Sequence, residues 1–208
     1  MAPIIDVVCQ CESRQNVDGD NLHDPSLTDK GRAQAVSLRA AYPYMNKVKL
    51  IVSSPLRRAI QTARSAFQPV VLVQGMAAIV IPELQEASAI PCDVGSPPQV
   101  LLTEFGRDID LFFFRDQWYT NVLEKYGTSQ QSVAARASQA RRMIRILSRD
   151  LGPDDHVVVV THSELIKTLI EGEPTVGNGE FRSCQFDDMS GTDDEATLQE
   201  ISPANGSS

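Results

Sequence analysis

The run His156-Val157-Val158-Val159-Val160-Thr161 is the strongest constraint on the fold. Four consecutive valines leave no polar face, and a strand of that kind is stable only when both its faces are covered. Parallel sheets between helical layers provide such cover. Other segments agree. Residues 4–8 (Ile-Ile-Asp-Val-Val), 49–54 (Lys-Leu-Ile-Val-Ser-Ser) and 77–81 (Ala-Ala-Ile-Val-Ile) read as strands. Between them lie helical patterns. Residues 26–42 carry Thr28 as a cap, with Ala35, Leu38 and Ala41 or Tyr42 on one face. In residues 54–67, Ser54 reads as a cap with Pro55 at the first helical position. Residues 94–106 suggest a short helix after a turn. Val133, Ala137, Ala140, Ile144, Leu147 and Leu151 recur at helical spacing, and the arginines among them are expected on the opposite face. Strands alternating with helices predict an α/β fold, a three-layer α/β/α sandwich with a mainly parallel sheet.

A length of 208 residues fits one domain, expected over 1–190, with 97–130 as an inserted helical and aromatic cap segment. Residues 191–208 are acidic, then small and polar, and read as a flexible tail. The formal net charge of −8 argues against nucleic acid or an anionic membrane surface as partner. The start Met-Ala-Pro-Ile-Ile-Asp lacks a basic leader, and no apolar run approaches the ~18 residues of a membrane span. Cys9, Cys11, Cys92 and Cys184 are few and scattered, as free thiols are. The expectation is a cytoplasmic protein with a small-molecule substrate, its oligomeric state open, a homodimer being one option.

Ligands of open parallel sheets collect at the carboxyl ends of the strands. Four polar clusters follow the predicted strands: residues 9–16, 53–58, 83–88 and 161–164. They offer Cys9, Gln10, Cys11, Glu12, Asn16, Arg58, Glu86, His162 and Ser163. Each alone has an ordinary reading as surface charge, cap or core. Their common placement at one sheet end is what points to a site.

In order and spacing these segments resemble the histidine phosphatase superfamily, in its phosphoglycerate mutase-like branch. That family opens on a strand followed by Arg-His-Gly, then Glu-Ser and a later Asn. Here the frame reads Cys9-Gln10-Cys11-Glu12-Ser13, with Asn16 beyond. The segment Leu27-Thr28 with Gly31 and Gln34-Ala35, and the segment Ser54-Pro55-Leu56-Arg57-Arg58-Ala59 with Thr62, also match. So do the loop around Glu86 and the turn Thr161-His162-Ser163, where Ser163 stands for the usual Gly. The wording Ile90-Pro91-Cys92-Asp93-Val94-Gly95-Ser96 is most similar to small fungal members.

The resemblance implies Arg58 as the phosphate-binding arginine, Glu86 as the proton donor and His162 as the second histidine. It places Gln10 where the nucleophilic histidine belongs, and a primary amide has no basic nitrogen lone pair for that task. Cys9 stands for the adjoining arginine and Cys11 for the glycine. On one strand, Cys9 and Cys11 would share a face and Gln10 would point to the other. A reactive thiol needs an electropositive setting, and a zinc site through Cys9, Cys11 and His162 has an unusual ligand spacing. No cofactor and no metal is expected.

Three readings stay open. One is a repurposed enzyme in which Glu86 and His162 work as acid and base while Gln10, Asn16, Arg58, Ser163 and Glu12 bind substrate. Its chemistry would be dehydration, isomerisation, cyclisation or a non-phosphate hydrolysis, in the setting of fungal secondary metabolism. The second is a silent pseudophosphatase that binds a small acid or a protein. The third is a weak phosphatase with direct attack by water. The aromatic stretch 108–119 could be a lid over the pocket or ordinary packing.

Overall fold

The computed structural model describes residues 2–114, 118–120, 126–187 and 197–201. Its strands are β1 (Ile4–Cys9), β2 (Val48–Ser53), β3 (Ala78–Val80), β4 (Ile109–Asp110), β5 (His156–Thr161), β6 (Phe181–Phe186) and β7 (Leu198–Glu200). The helices are α1 (Gln15–Asp18), α2 (Asp29–Ala41), α3 (Arg57–Ala66), α4 (Pro98–Phe105), α5 (Gln130–Ser148) and α6 (Ser163–Leu169). One sheet holds all seven strands in the order β4-β3-β2-β5-β1-β6-β7. From β4 to β1 every pairing is parallel, and β6 and β7 add antiparallel partners at one edge.

The valine run explains the centre of this sheet. β5 pairs with β1 on one side and β2 on the other, and all six of its residues are buried. Val157 and Val159 join Ile5, Val7 and Cys9 beneath Leu165, Ile166 and Leu169 of α6 and Val133, Ala137, Ala140 and Ile144 of α5. Val158 and Val160 point the other way. With Val8 and Ile51 they meet Ala35 and Leu38 of α2 and Ala59, Ala63 and Ala66 of α3. The small alanines let α3 lie close to the sheet. The expected sandwich is therefore present, each strand face covered by its own helical layer.

Several local readings change. α3 begins at Arg57 behind Leu56, so Ser54 is not its cap residue; its hydroxyl accepts from Leu56 N at 3.3 Å, just ahead of the helix. The arginines of α5 are not all outward, because Arg136 and Arg145 are buried. Their positions fall between the apolar ones on the same stripe, and polar partners inside the protein outweigh the residue-type rule. Arg141 donates to the carbonyls of Thr168 and Leu169, closing the carboxyl end of α6.

Within the segment read as tail, Leu198–Glu200 instead pairs with β6. Residues 191–196 and 202–208 lie outside the described residues. Within the segment read as a cap, Ile109–Asp110 is an edge strand beside β3. Trp118 is fully buried, and its ring lies where a Cβ on Gly95 would come within 2.1 Å. That aromatic packs as core, while Phe112 stays 76% exposed.

At the amino end of the sheet, Asp6 interrupts the apolar β1. Its carboxylate accepts from Tyr42 Oη and from Ser183 Oγ at 2.6 Å, and pairs with His156 Nδ1 at 2.6 Å. Tyr44 stacks on His156. The network ties α2, β5 and β6 to β1 at the end opposite the polar clusters.

The amino terminus of α2 is pressed onto the chain after β1. Thr28 N donates to Glu12 O at 3.1 Å, and a Cβ on Gly31 would lie 1.9 Å from that same oxygen. Gly31→Ala is expected to lower stability by about 1–3 kcal/mol through forced separation of these backbones. It should appear as a lower urea midpoint with an unchanged slope. An unchanged midpoint would show that this contact gives way freely.

Candidate functional site

The parallel register brings the ends of β1, β2, β3 and β5 to one edge, and backbone hydrogen bonds hold them there. Gln10 N donates to Thr161 O at 2.9 Å, Ser54 N to Val160 O at 2.8 Å, and Ile81 N to Ser53 O at 3.1 Å. Gln10, Ser54 and His162 are thereby next-door residues on three strand ends. All three are buried.

His162 starts the turn into α6, and its Nε2 lies 2.7 Å from Ser54 Oγ. That hydroxyl also accepts from Leu56 N at 3.3 Å. Nδ1 is buried without a partner among the described residues. Burial, with the Arg58 and Arg136 cations nearby, holds the ring well below its ordinary pKa of 6.5, so His162 is neutral.

Arg58, in the first turn of α3, is completely buried. Its two terminal nitrogens are taken by adjacent residues of the 88–93 loop. One donates to Cys92 O at 2.7 Å and the other to Asp93 Oδ1 at 2.7 Å. Asp93 Oδ2 accepts from Ser88 Oγ. Nε of Arg58 has no partner among the described residues.

Glu86 enters from the loop after β3. Its Oε1 accepts from Ala87 N at 2.9 Å and from Leu165 N of α6 at 3.3 Å. Burial pushes its carboxyl above the ordinary range, and the Asp93 charge adds to this. Arg136 holds the same loop from behind, donating to Gln85 O at 2.5 Å and Glu86 O at 3.0 Å. Burial lowers its guanidinium to about 10, where it remains charged at neutral pH.

Gln10, Arg58, Glu86 and His162 thus gather at one sheet edge. Of the remaining candidates, Glu12 and Asn16 lie apart from it. Glu12 turns to α2, where its carboxylate accepts from Thr28 Oγ1 at 2.8 Å and pairs with Lys30 at 2.6 Å. Asn16 is exposed, its side-chain oxygen holding Ser13 N at 3.0 Å. Ser163 is a half-buried first residue of α6. The thiols do not share a face. β1 ends at Cys9, so the alternation stops there: Cys9 packs in the α5–α6 core and Cys11 in the α2–α3 core. With that separation the two sulfurs do not gather around His162. Burial first, then the Glu86 charge, raises the Cys9 thiol to about 12, and burial raises Cys11 to about 11, so both stay protonated.

Three participants were not singled out from the sequence: Ser54 beyond its role as cap, Asp93 and Arg136. Asp93 lay in view, an acid in the Pro91-Cys92-Asp93 turn, but its distance from Arg58 along the chain concealed the pairing. Arg136 betrayed itself only by sitting on the apolar stripe of α5. His162 is neutral, Glu12 is elsewhere, and Asp93 is the acid that meets Arg58.

A mainly parallel sheet between helical layers thus places an arginine, a glutamate and a histidine at its carboxyl edge. The chain belongs to the histidine phosphatase superfamily, branch 1, whose family model matches residues 7–196. A probable phosphatase of Schizosaccharomyces pombe is 37% identical over 84 residues, which span 40% of this chain and 39% of that one. Among solved structures, ecdysone phosphate phosphatase from the silkworm Bombyx mori superimposes with a TM-score of 0.67 at 14% identity, covering 97% of this chain and 92% of that one. A mycobacterial glucosyl-3-phosphoglycerate phosphatase gives 0.61 at 19%, covering 96% and 98%. At such identities these likenesses establish the fold. Among the described residues no helix is long and apolar enough to cross a membrane.

The neutral His162 has a pH signature. Its proton affinity is lower folded than unfolded, so the unfolded state gains protons first as pH falls. Stability should decline below about pH 6.5, the unfolded value. His162→Gln should show a shallower decline between pH 6.5 and 5 in urea titrations. The ring nitrogens of His162 should show the neutral pattern by nitrogen NMR throughout that range. An imidazolium signal at pH 6 would contradict the assignment.

Proposed function

We propose that this histidine-phosphatase-fold protein works without a phosphohistidine, by acid–base catalysis on a small, non-phosphorylated metabolite. The observation that carries the reading is the pair Glu86 and His162, one carboxyl pushed toward its protonated form and one imidazole kept neutral, both by burial at the same sheet edge. An acid and a base that are both uncharged can exchange protons with a substrate without separating charge in a dry site. Glu86 is the proton donor. His162 Nε2 is the base, and the Ser54 hydroxyl bonded to it is the group through which it draws a proton. Nδ1 of the ring and Nε of Arg58, buried and without a partner among the described residues, are the polar atoms left for a substrate. Gln10 supports the same reading, because neither an amide at the end of β1 nor the two protonated thiols beside it can take a phosphoryl group at that position. Dehydration, isomerisation, cyclisation and non-phosphate hydrolysis are the reactions that such a pair serves.

A second reading, a silent binding module, draws on a different observation. Arg58 and His162 are wholly buried and already hydrogen-bonded within the protein. The relatives' names favour phosphate chemistry, but Gln10 separates this chain from a phosphohistidine route.

The test has two stages. Incubation with a labelled phosphoryl donor should leave no acid-labile, alkali-stable label on the protein, and such a label would overturn the proposal. The compound retained by the natively purified chain, identified by mass spectrometry, then serves as substrate. Glu86→Gln and His162→Ala should each lower its turnover by about 10²–10⁴-fold while binding changes far less. Cys9→Ala and Cys11→Ala should leave turnover nearly intact. Affinity losses with no turnover to lose would identify the binding module, and turnover abolished by a single cysteine change would identify a thiol mechanism.

A further inference from the structure

We infer that Asp93 is a built-in anion that occupies the binding face of Arg58 and thereby sets the specificity of the site, turning away phosphate-like dianions in favour of uncharged, oxygen-bearing substrates. The inference rests on the reading of the Gln10–Arg58–Glu86–His162 cluster as the site and names the class of substrate that site accepts.

Arginine binds oxyanions through two parallel N–H bonds, a geometry that its planar fork supplies. Here two of the five guanidinium N–H groups are already engaged from within. The Cys92 carbonyl and the Asp93 carboxylate, from consecutive residues, each accept from one terminal nitrogen at 2.7 Å. The face that remains, with Nε unpartnered among the described residues, lies on a cation whose charge a carboxylate already meets.

The carboxylate is seated, not merely nearby. Arg58 is 0% and Asp93 5% exposed, so water does little to screen the pair. Ser88 Oγ donates to the other carboxylate oxygen. The short turn Pro91–Asp93 is fixed by Asp93 N to Ile90 O at 2.8 Å, and its middle residue is tied to the 19–26 loop through Cys92 N to Asp20 O at 3.2 Å. The loop is thus closed around the ion pair from both sides.

An incoming dianion would have to share Arg58 with the buried Asp93 carboxylate or displace it, and either way sets a second negative charge beside the first. Each charge-assisted bond it fails to win costs about ten- to a hundredfold in affinity. A neutral carbonyl or hydroxyl meets no such repulsion. It needs only the free N–H groups of Arg58, and the Arg58–Asp93 pair stays in place as the electrostatic floor of the site.

Sodium tungstate is a suitable probe because it reports oxyanion binding without any turnover. Calorimetric titration of the full chain should show weak or no saturable binding. Asp93→Asn keeps the shape and an oxygen acceptor for Arg58 but removes the charge. It should bind tungstate at least about tenfold more tightly. The double variant Arg58→Ala/Asp93→Asn should lose that gain. Ser88→Ala, which frees one carboxylate oxygen and leaves the charge, should give a smaller gain.

Tight Arg58-dependent binding to the unaltered protein would overturn the inference, as would a folded Asp93→Asn variant with unchanged affinity. If Asp93→Asn does not fold, Ser88→Ala decides, and no gain there also overturns it. A failed tungstate gain with the Glu86 and His162 effects on turnover intact removes the role of Asp93 alone. A tungstate gain in a protein whose turnover ignores Glu86 and His162 removes the acid–base reading alone.

Discussion

The pairing of β5 with both β1 and β2 is the constraint from which the rest of this structure follows. A strand of four valines buries both faces only in the middle of a sheet covered on both sides. Once it lies there in parallel register, Thr161, Gln10 and Ser54 must emerge side by side. The turns that follow bring His162 and α6 down on one face, and Arg58 with α3 on the other. The site is a consequence of strand register before it is a consequence of any side chain.

Burial then decides its electrostatics. An arginine at the floor of such an edge has no water to solvate it and needs a partner, which Asp93 supplies. A carboxyl and an imidazole in the same surroundings resist charging, so Glu86 moves up and His162 moves down. One physical effect thus underlies both the Arg58–Asp93 pairing and the opposite shifts of Glu86 and His162 beside it.

The fold was legible because its signals are local. Periods of two and of 3.6, the Thr28 cap and the valine run each act over a few residues, and α2, α5, β1, β2 and β5 form where those patterns put them. What escaped is what local pattern cannot carry. β7 is a short strand with one buried residue in a polar stretch, formed because β6 offers it an open edge. β4 has two residues and exists by pairing with β3. The inward arginines of α5 break the residue-type rule because carbonyls of a distant loop satisfy Arg136.

The site divides along the same line. By itself the sequence determined the layered architecture and the strand-end places of Gln10, Arg58, Glu86 and His162. Residue identity and spacing along the chain contain all of that. Tertiary structure alone decided that Glu12 serves α2, that Cys9 and Cys11 part into separate cores, that Ser54 meets His162, and that Asp93 fills Arg58 across 34 intervening residues. These depend on which groups share a dry volume after packing. Hydrogen bonds and charges act over a few ångströms in space, and no distance along the chain records that proximity.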